Sequence, residues 1–504
     1  MTQTPGPKVL VIGAGLGGIS AAISLRAAGY EVEVHEKNDH VGGKLNRLQT
    51  EGFAFDLGPS ILTLPHYFKH LFQMHDKRMS DYVSCRQLAP HWRCFFEDRT
   101  RIDLYPDPAR TVEENAILTE QDGDELREFI AYSAALFAAT EEGYFAEGLD
   151  TLWEMIRFHG PINALRKFGL FHTMADGVGK RVDNEYLRHI LNFFVKYVGS
   201  SPYDAPSVLN LLPHAQFEYG LWYVDGGMFE LGEALEKLAR ECGVKVNLGS
   251  EIARLPTRRG SVTGADLTDG RRIEADIFVC NMEVIPACRS LLHEPEHKLH
   301  RLRKFEPACS GLVLHLGTDR RYPQLSHHNF FFSRHPRHHF QQVFHDKVLP
   351  EDPTVYVVAS SRTDPSQAPE GCENIKVLPH IPYIQDRPFI DDDYPQLRSR
   401  VLTKLERMGL TDLRNHIIVE DMWTPEDIRD HYYSNKGAIY GVVSDRKLNH
   451  GFKAPKRSAD YDNLYFVGGS VNPGGGMPMA ALSGQQVSEF ITSEQTTPDI
   501  SGEL

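Results

Sequence analysis

Positive charge is what this sequence has least of: 54 lysines and arginines face 68 aspartates and glutamates, for a formal charge of −14. Nucleic-acid binding needs clustered cations that displace counterions from phosphates, so the balance argues against that partner and against a general affinity for acidic surfaces. Paired cysteines are missing too. Seven are scattered along the chain without a CxxC, which argues against a zinc site or a redox couple and for reduced, cytosolic thiols. No apolar run approaches the roughly 18 residues that cross a bilayer. The opening MTQTPGPKVLVIG has no charged leader before its apolar stretch, so the expectation is neither export nor a membrane span. Repeats and low-complexity stretches are absent apart from a polar tail after about residue 490. No Ser-His-Asp or Cys-His constellation stands out, so chemistry must come from elsewhere than an activated nucleophile.

What is present is an ordinary globular composition, 41% hydrophobic and 24% charged, in a chain of 504 residues that favours two or more domains. KVLVI at 8–12 is a β-branched run followed at once by GAGLGG, a helix-like ISAAISLRAAGY and a second strand, EVEVHEK. This is a β-α-β unit with glycines at Gly13, Gly15 and Gly18, with Gly17 between the last two, and it ends in Glu36 at the close of its second strand. Gly13 permits the tight turn, Gly15 lets a pyrophosphate approach the backbone, and Gly18 lets helix and strand pack closely. Glu36 is placed to bind ribose hydroxyls. The unit alone leaves NAD and FAD open.

HVGGKLNRLQTEGFAFDLGPSIL decides between them. With its second bare stretch at Gly42-Gly43, its cation Lys44 and its Gly58-Pro59 pair, it resembles the large FAD family of amine oxidases, protoporphyrinogen oxidase and phytoene desaturases. That family usually has arginine after the glycine pair, and Lys44 keeps the charge while losing the bidentate fork. A second block, YGLWYVDGGMFELGEALEKLARECGVKVNL, reads as strand, helix with Met228, Leu231, Leu235 and Leu238 on one face, and strand. The resemblance implies that backbone near Ile252 contacts adenine. A third block, NLYFVGGSVNPGGGMPMAALSGQQV, is a strand running into three consecutive glycines and a helix with Pro478 in its first turn. There the resemblance implies bare backbone against a flavin ring, with a helix N-terminus favouring the reduced ring's negative charge. The candidate cofactor residues are Gly13, Gly15, Gly17, Gly18, Glu36, Gly43, Lys44, Gly58, Pro59, Ile252, Gly468, Gly476 and Met477. Met477 and Met479 are candidates for an apolar wall beside the ring.

The expected fold class is therefore α/β: a Rossmann-type FAD-binding domain, discontinuous over about 1–75, 219–290 and 458–504, with an inserted α+β substrate domain from 76–218 and 291–457. FAFDLGPSILTLP, KYVGSSPYDAP, CNMEVIP, VLPHIPYIQDRPF, WTPEDI and SNKGAIYGVV, taken with the glycine motifs, resemble the diaponeurosporene oxygenase branch of the bacterial carotenoid desaturases over nearly the whole chain. That resemblance implies oxidation of the terminal methyl of an acyclic carotenoid, 4,4'-diaponeurosporene, to the aldehyde with O2. A hydrocarbon offers nothing to hydrogen-bond, so an apolar tunnel must orient it while the cofactor does the chemistry. Two alternatives stand beside this reading: a desaturase that only removes hydrogen, and a flavin-free isoprenoid escort protein. Catalytic side chains, the electron partner, the carotenoid chain length and the oligomeric state stay open.

Two further stretches carry expectations. Leu149, Leu152, Trp153 and Ile156, followed by Leu165, Phe168, Leu170 and Phe171, suggest a helix that dips into a membrane or rims a tunnel. Residues 151–200 hold seven lysines and arginines against four acids, a local +3 suited to anionic lipid. The expected location is peripheral, on the cytoplasmic side of the membrane. His327, His328, His335, His338, His339 and His345 crowd together but lack a helical HxxxH with a carboxylate, so a solvated or tunnel-lining loop is expected there and no metal.

Overall fold

The structure is a computed structural model that describes residues 6–161, 171–387, 389–390 and 393–496. Its first layer is a parallel sheet of five strands: β1 (Lys8–Ile12), β2 (Glu31–His35), β3 (Lys245–Asn247), β4 (Ile277–Cys280) and β5 (Leu464–Phe466), in the order β5-β4-β1-β2-β3. All four pairings are parallel, with Val9 opposite both Val32 and Ile277, and Phe278 opposite Leu464. Parallel strands covered on both faces read as continuous apolar runs, which is why KVLVI and IFVC lack a polar alternation. Side chains still alternate between two cores. Val9, Val11, Val32, Val34 and Val279 pack under the helices, while Leu10, Ile12, Phe278 and Cys280 face a small three-stranded sheet formed by Ile252–Arg254, Ala265–Leu267 and Arg272–Ile273. Each such buried aliphatic side chain contributes roughly 1.5–3 kcal/mol.

The helices include α1 (Leu16–Ala27), α2 (Leu152–His159), α3 (Phe229–Glu241) and α4 (Met477–Thr496), and all of these but α2 share one core with the parallel sheet. The run GGISAA in α1 meets the run AALSG in α4 because small residues let the two backbones close up. A Cβ on Gly484 would fall on the Gly17 carbonyl and the Ala21 amide, and Ser20 Oγ donates to the Ala481 carbonyl at 2.6 Å. The contact joins the two ends of the chain.

The second layer is a mixed sheet in the order Ile417–Trp423, Val313–Thr318, Glu373–Ile381, Val355–Val358, His328–Phe331, Trp92–Phe95, Arg101–Leu104, with Ser310–Gly311 added beside Glu373–Ile381. One face is aliphatic and covered by the helix Asp393–Arg407 through Leu397, Val401, Leu402 and Leu405. The other is aromatic, with Trp92, Phe193, Phe194, Phe330, Phe332 and Tyr356 packed together. Phe330 and Phe331, adjacent on one strand, enter these two cores on opposite faces. All seven cysteines are free, and no helix among the described residues is long and apolar enough to cross a membrane.

The histidine cluster is not the loop that its sequence suggests. His327 and His328 are buried, with His328 inside a strand, and His339 is buried in the short helix Pro336–Gln341. None of these lines the main cavity. His328 Nδ1 is paired with the Tyr356 hydroxyl at 2.9 Å and His327 Nδ1 with Thr363 Oγ1 at 2.7 Å, so the run serves the aromatic core. Burial holds His327 and His339 at about 3. His335 and His338 are exposed, and His345 pairs with Asp204. Among the described residues, no group of three or more His, Cys, Asp or Glu side chains is placed to hold a metal ion.

Candidate functional site

One cavity of about 700 Å³ runs between the two layers. At one end it is bordered by the turn that connects β1 to α1, by Glu36 at the end of β2, and by Ser250, Ile252 and Thr268. It continues past Gly43, Lys44, Gly58 and Pro59 to Gly468 and the loop Gly474–Met477. Of the thirteen candidate residues, Gly18 alone is not on this wall, and it stands one residue behind Gly17.

The glycines are bare for different reasons. A Cβ on Gly18 would overlap the Gly13 carbonyl, so this position closes helix on strand, as its spacing predicts. A Cβ on Gly17 would sit 2.5 Å from the Gly468 amide nitrogen and 2.8 Å from its Cα, so Gly17 joins the first glycine turn to the last. Gly15 faces the Asn281 side chain, whose amide nitrogen a Cβ would strike, so protein packing by itself keeps this position bare. Gly58 is wedged against the Lys44 backbone, and Gly475 against the Tyr440 carbonyl. Gly476 differs. Its nearest neighbours to an added Cβ are the Tyr197 carbonyl at 3.9 Å and Met479 at 4.0 Å, ordinary contacts, so no protein atom demands glycine where it borders the cavity.

Polar groups at this end of the cavity are held by backbone amides. Glu36 is buried, with Oε2 accepting from the Ala14 amide at 2.7 Å and Oε1 from the Asn38 amide at 2.9 Å, which fixes the carboxylate and leaves further lone pairs for hydroxyl donors. The N-terminus of α1 is turned to the cavity, and its first-turn amides lack acceptors within the helix. One of them, Gly18 N, donates to Asn281 Oδ1 at 3.0 Å.

Lys44 borders the cavity and is also held by protein partners. Its ammonium donates to the carbonyls of Ala438 and Ile439 at 3.2 and 3.3 Å and lies 3.8 Å from Glu283 Oε1. Burial lowers the ammonium and raises the Glu283 carboxyl, each opposed by the other's charge. The pair ties the glycine loop to the 438–439 segment.

The glycine loop near the C-terminus is pinned from outside. Asn472 Oδ1 accepts from the Tyr144 hydroxyl at 2.6 Å and from the Lys453 amide at 2.8 Å, while its amide donates to the Asp150 carbonyl at 3.1 Å. Lys456 forms a buried ion pair with Asp150 at 2.5 Å. Met477 opens α4 with Pro478 behind it, and Met477 and Met479 both border the cavity.

Beyond this loop the cavity turns apolar, lined by Leu64, Phe137, Phe145, Leu211, Leu212 and Ala215. Phe145 belongs to the turn Glu141–Ala146, against which α2 packs: an added Cβ on Gly143 would meet Leu149, Phe158 and His159. Helix α2 divides its apolar residues between the interior and the surface. Met155 is buried and Ile156 and Leu149 pack beside it, whereas Trp153 is 72% exposed, and Phe171 beyond the helix is 72% exposed as well. Leu165, Phe168 and Leu170 lie outside the described residues, as do Arg166 and Lys167. The local charge also shrinks as a surface feature, because Lys196 is buried and Arg188 pairs with Asp183.

Sequence reasoning misses several wall residues: Asn281, Glu283, Lys196, Tyr197, Tyr356 and Tyr440. Asn281 carries a signal, a polar residue directly after the apolar strand IFVC. Glu283, Lys196, Tyr197 and Tyr440 fall inside the quoted phrases CNMEVIP, KYVGSSPYDAP and SNKGAIYGVV, which mark the segments without singling out these side chains, and Tyr356 carries no signal.

Comparison with known proteins agrees with this architecture. The family model of flavin containing amine oxidoreductases matches residues 16–492. The chain is 56% identical over 488 residues to the 4,4'-diaponeurosporene oxygenase of Staphylococcus aureus strain USA300, covering 97% of this chain and 98% of that protein. The protein of the same name from strain MW2 is 55% identical over the same length and shares. Among solved structures, an oxidoreductase from Methanosarcina mazei superposes with a TM-score of 0.64 at 16% identity, over 96% of this chain and 100% of that one. Putrescine oxidase bound to putrescine superposes with a TM-score of 0.65 at 14% identity, over 97% and 99%.

Proposed function

This chain belongs to the family of flavin containing amine oxidoreductases and is an FAD-dependent oxidoreductase, and from that premise we propose that it oxidises the terminal methyl group of an acyclic C30 carotenoid, 4,4'-diaponeurosporene, to the aldehyde with O2. The observation that carries the reading is the continuity of the cavity, from the dinucleotide crevice past the Gly474–Met477 loop into an apolar chamber of Leu64, Phe137, Phe145, Leu211 and Leu212. The relative's name supports the substrate and the reaction.

The residues present fit FAD. Gly476 borders the cavity with no protein contact demanding its bareness, Glu36 offers fixed carboxylate oxygens, and the N-terminus of α1 offers amides. In this reading the ribose end is held by Glu36, the pyrophosphate by the amides at Gly15–Gly17, and the ring end by the backbone at Gly474–Met477. FAD supplies hydride acceptance and reaction with oxygen. The chain supplies position: Phe137, Phe145, Leu211 and Leu212 exclude water and accept a hydrocarbon, so a methyl end is presented to the ring without any hydrogen bond to it. The segments 1–75, 219–290 and 458–504 are assigned to the cofactor and 76–218 with 291–457 to the substrate.

The same reading places the protein peripherally on the cytoplasmic membrane surface, where a carotenoid resides. Trp153 and Phe158 are exposed on the helix that carries Arg157, and α2 packs on the turn whose Phe145 lines the apolar chamber, so an exposed aromatic edge and the chamber wall share one small region. The test is to incubate the purified, FAD-loaded protein with the acyclic carotenoid in air and determine the mass of the product. Gain of oxygen is expected; loss of hydrogen without oxygen identifies a desaturase and overturns the reading.

A further inference from the structure

Five lysines are buried in the described structure: Lys196, Lys376, Lys404, Lys453 and Lys456. Four have oxygen partners for the ammonium. Lys376 donates to the Gly58 carbonyl and Ser60, Lys404 to Asp352, Lys453 to the Val442 carbonyl and Ser444, and Lys456 to Asp150 and the Gly148 carbonyl. Lys196 has no hydrogen-bond or ion-pair partner among the described residues. Its Nζ sits among four aromatic rings, 4.1 Å from the centroid of Tyr197, 4.8 Å from Tyr356, and 5.0 Å from both Trp92 and Phe330.

Its position is as specific as its surroundings. Lys196 borders the cavity, and the carbonyl of its neighbour Tyr197 is the protein atom nearest to where a Gly476 side chain would begin. Lys196 and Tyr197 both border the cavity, so this segment of the wall runs beside the Gly474–Met477 loop. Phe193 and Phe194 bury the segment just before it, and Tyr197 is fixed by donating its hydroxyl to Gln216 Oε1 at 2.6 Å.

We propose that Lys196 is a carbonyl-binding residue that condenses with the aldehyde end of a polyene held in the chamber; this rests on the reading of the protein as an aldehyde-forming carotenoid oxygenase. An amine that forms an imine must be neutral to attack, and desolvation in an apolar pocket is the usual route to a neutral lysine. Burial holds the Lys196 ammonium well below the ordinary lysine range. The rings favour a cation on the same nitrogen, which opposes that shift in the free amine and stabilises the imine once it takes up one further proton from solvent. The step balances without a redox partner. The amine nitrogen forms a bond to the carbonyl carbon, the C=O π pair passes to oxygen, both nitrogen protons end on that oxygen, and water leaves. The Tyr356 ring lies 4.8 Å from the same amine, and its hydroxyl is paired with His328 Nδ1. The consequence is retention: an apolar, reactive aldehyde stays masked until water returns to hydrolyse the imine.

The test uses all-trans-retinal, a conjugated isoprenoid aldehyde, with the FAD-loaded protein and sodium cyanoborohydride, which delivers hydride to an imine carbon and fixes it as a secondary amine. Peptide mapping is expected to find one retinyl group on the peptide that carries Lys196, with a red-shifted visible band before reduction. Lys196→Arg, which keeps a cation but cannot form the imine under these conditions, is expected to lose that label while its flavin spectrum stays unchanged. Label confined to exposed lysines, or undiminished at the cavity in Lys196→Arg, overturns the proposal. Mapping on the wild-type protein stands even if the variant fails to fold. Labelling also separates this proposal from the reading beneath it: a protein that labels at Lys196 but yields a dehydrogenated, oxygen-free product retains the amine's reactivity and loses the oxygenase assignment, and the converse outcome does the reverse.

Discussion

The two ends of the cavity are built by opposite means. At the dinucleotide end, backbone does the work: glycines at 13, 15, 17 and 18, the pair at 42–43, and one carboxylate, all within the first 43 residues except where Gly468 closes in. At the other end, side chains do it, and they arrive from segments as distant as Leu64, Phe145, Lys196, Leu212, Tyr356 and Met479. A cofactor with charged phosphates is gripped by amides at fixed spacing, which a local motif can encode. A hydrocarbon is held by shape alone, which only tertiary packing can encode. The difference teaches that the first end tolerates almost no change, whereas the second tolerates change in fold while losing function.

Variants sharpen that contrast. The largest effect belongs to Gly17→Val, whose side chain would be driven into the Gly468 backbone; loss of bound flavin and a destabilisation of roughly 1–3 kcal/mol are expected, measured by flavin-to-protein absorbance and by denaturant unfolding. Full flavin loading in that variant would rule out this role for the glycine turn. Leu212→Glu places a carboxylate in the chamber, where the parent residue is only partly buried, so the fold survives. Flavin content should be unchanged and carotenoid turnover reduced at least about tenfold, or 1.4 kcal/mol of barrier, and equal losses of both would merge the two ends into one.

The legibility of the sequence follows the same division. The β-α-β unit, the helix after Gly227 and the helix opened by Met477-Pro478 are readable because strand and helix periodicities are local and glycine spacing is rigid. The histidines mislead because a strand buried on both sides looks, in one dimension, like any polar run interrupted by phenylalanines; only the second sheet shows His328 to be interior. Lys44 is readable as a cavity residue but not in its partners, since Ala438, Ile439 and Glu283 lie hundreds of residues away. Lys196 lies in the quoted phrase KYVGSSPYDAP, yet its burial is not legible there: a lysine in a mixed stretch resembles a surface lysine until four rings close over it.

The aromatic side also makes a prediction about acid. His91 is held at about 4, and His327, His339 and His380 at about 3, all by burial, against an ordinary value near 6.5. Folded-state values below the unfolded value mean that the stability tied to these neutral rings is fully present above about pH 6.5 and is lost as pH falls toward 4 and 3. The slope is roughly 1 kcal/mol per pH unit for each ring. Denaturant midpoints measured from pH 7 to 4.5 should fall, and a flat profile would contradict the buried histidine core. The smallest effect on the fold is expected at the exposed edge. Trp153→Ser should change stability by no more than about 0.5 kcal/mol yet reduce flotation with anionic liposomes, and unchanged flotation would remove this edge from the membrane contact.

The central claim is that one continuous space holds a flavin at its glycine end and a hydrocarbon at its apolar end. An experimental structure of the FAD-loaded protein with the acyclic carotenoid tests it most directly. The ring is expected against Gly474–Met477 and a polyene terminus among Phe137, Phe145, Leu211 and Leu212. A ring seated away from that loop, or a polyene bound outside the chamber, would contradict it.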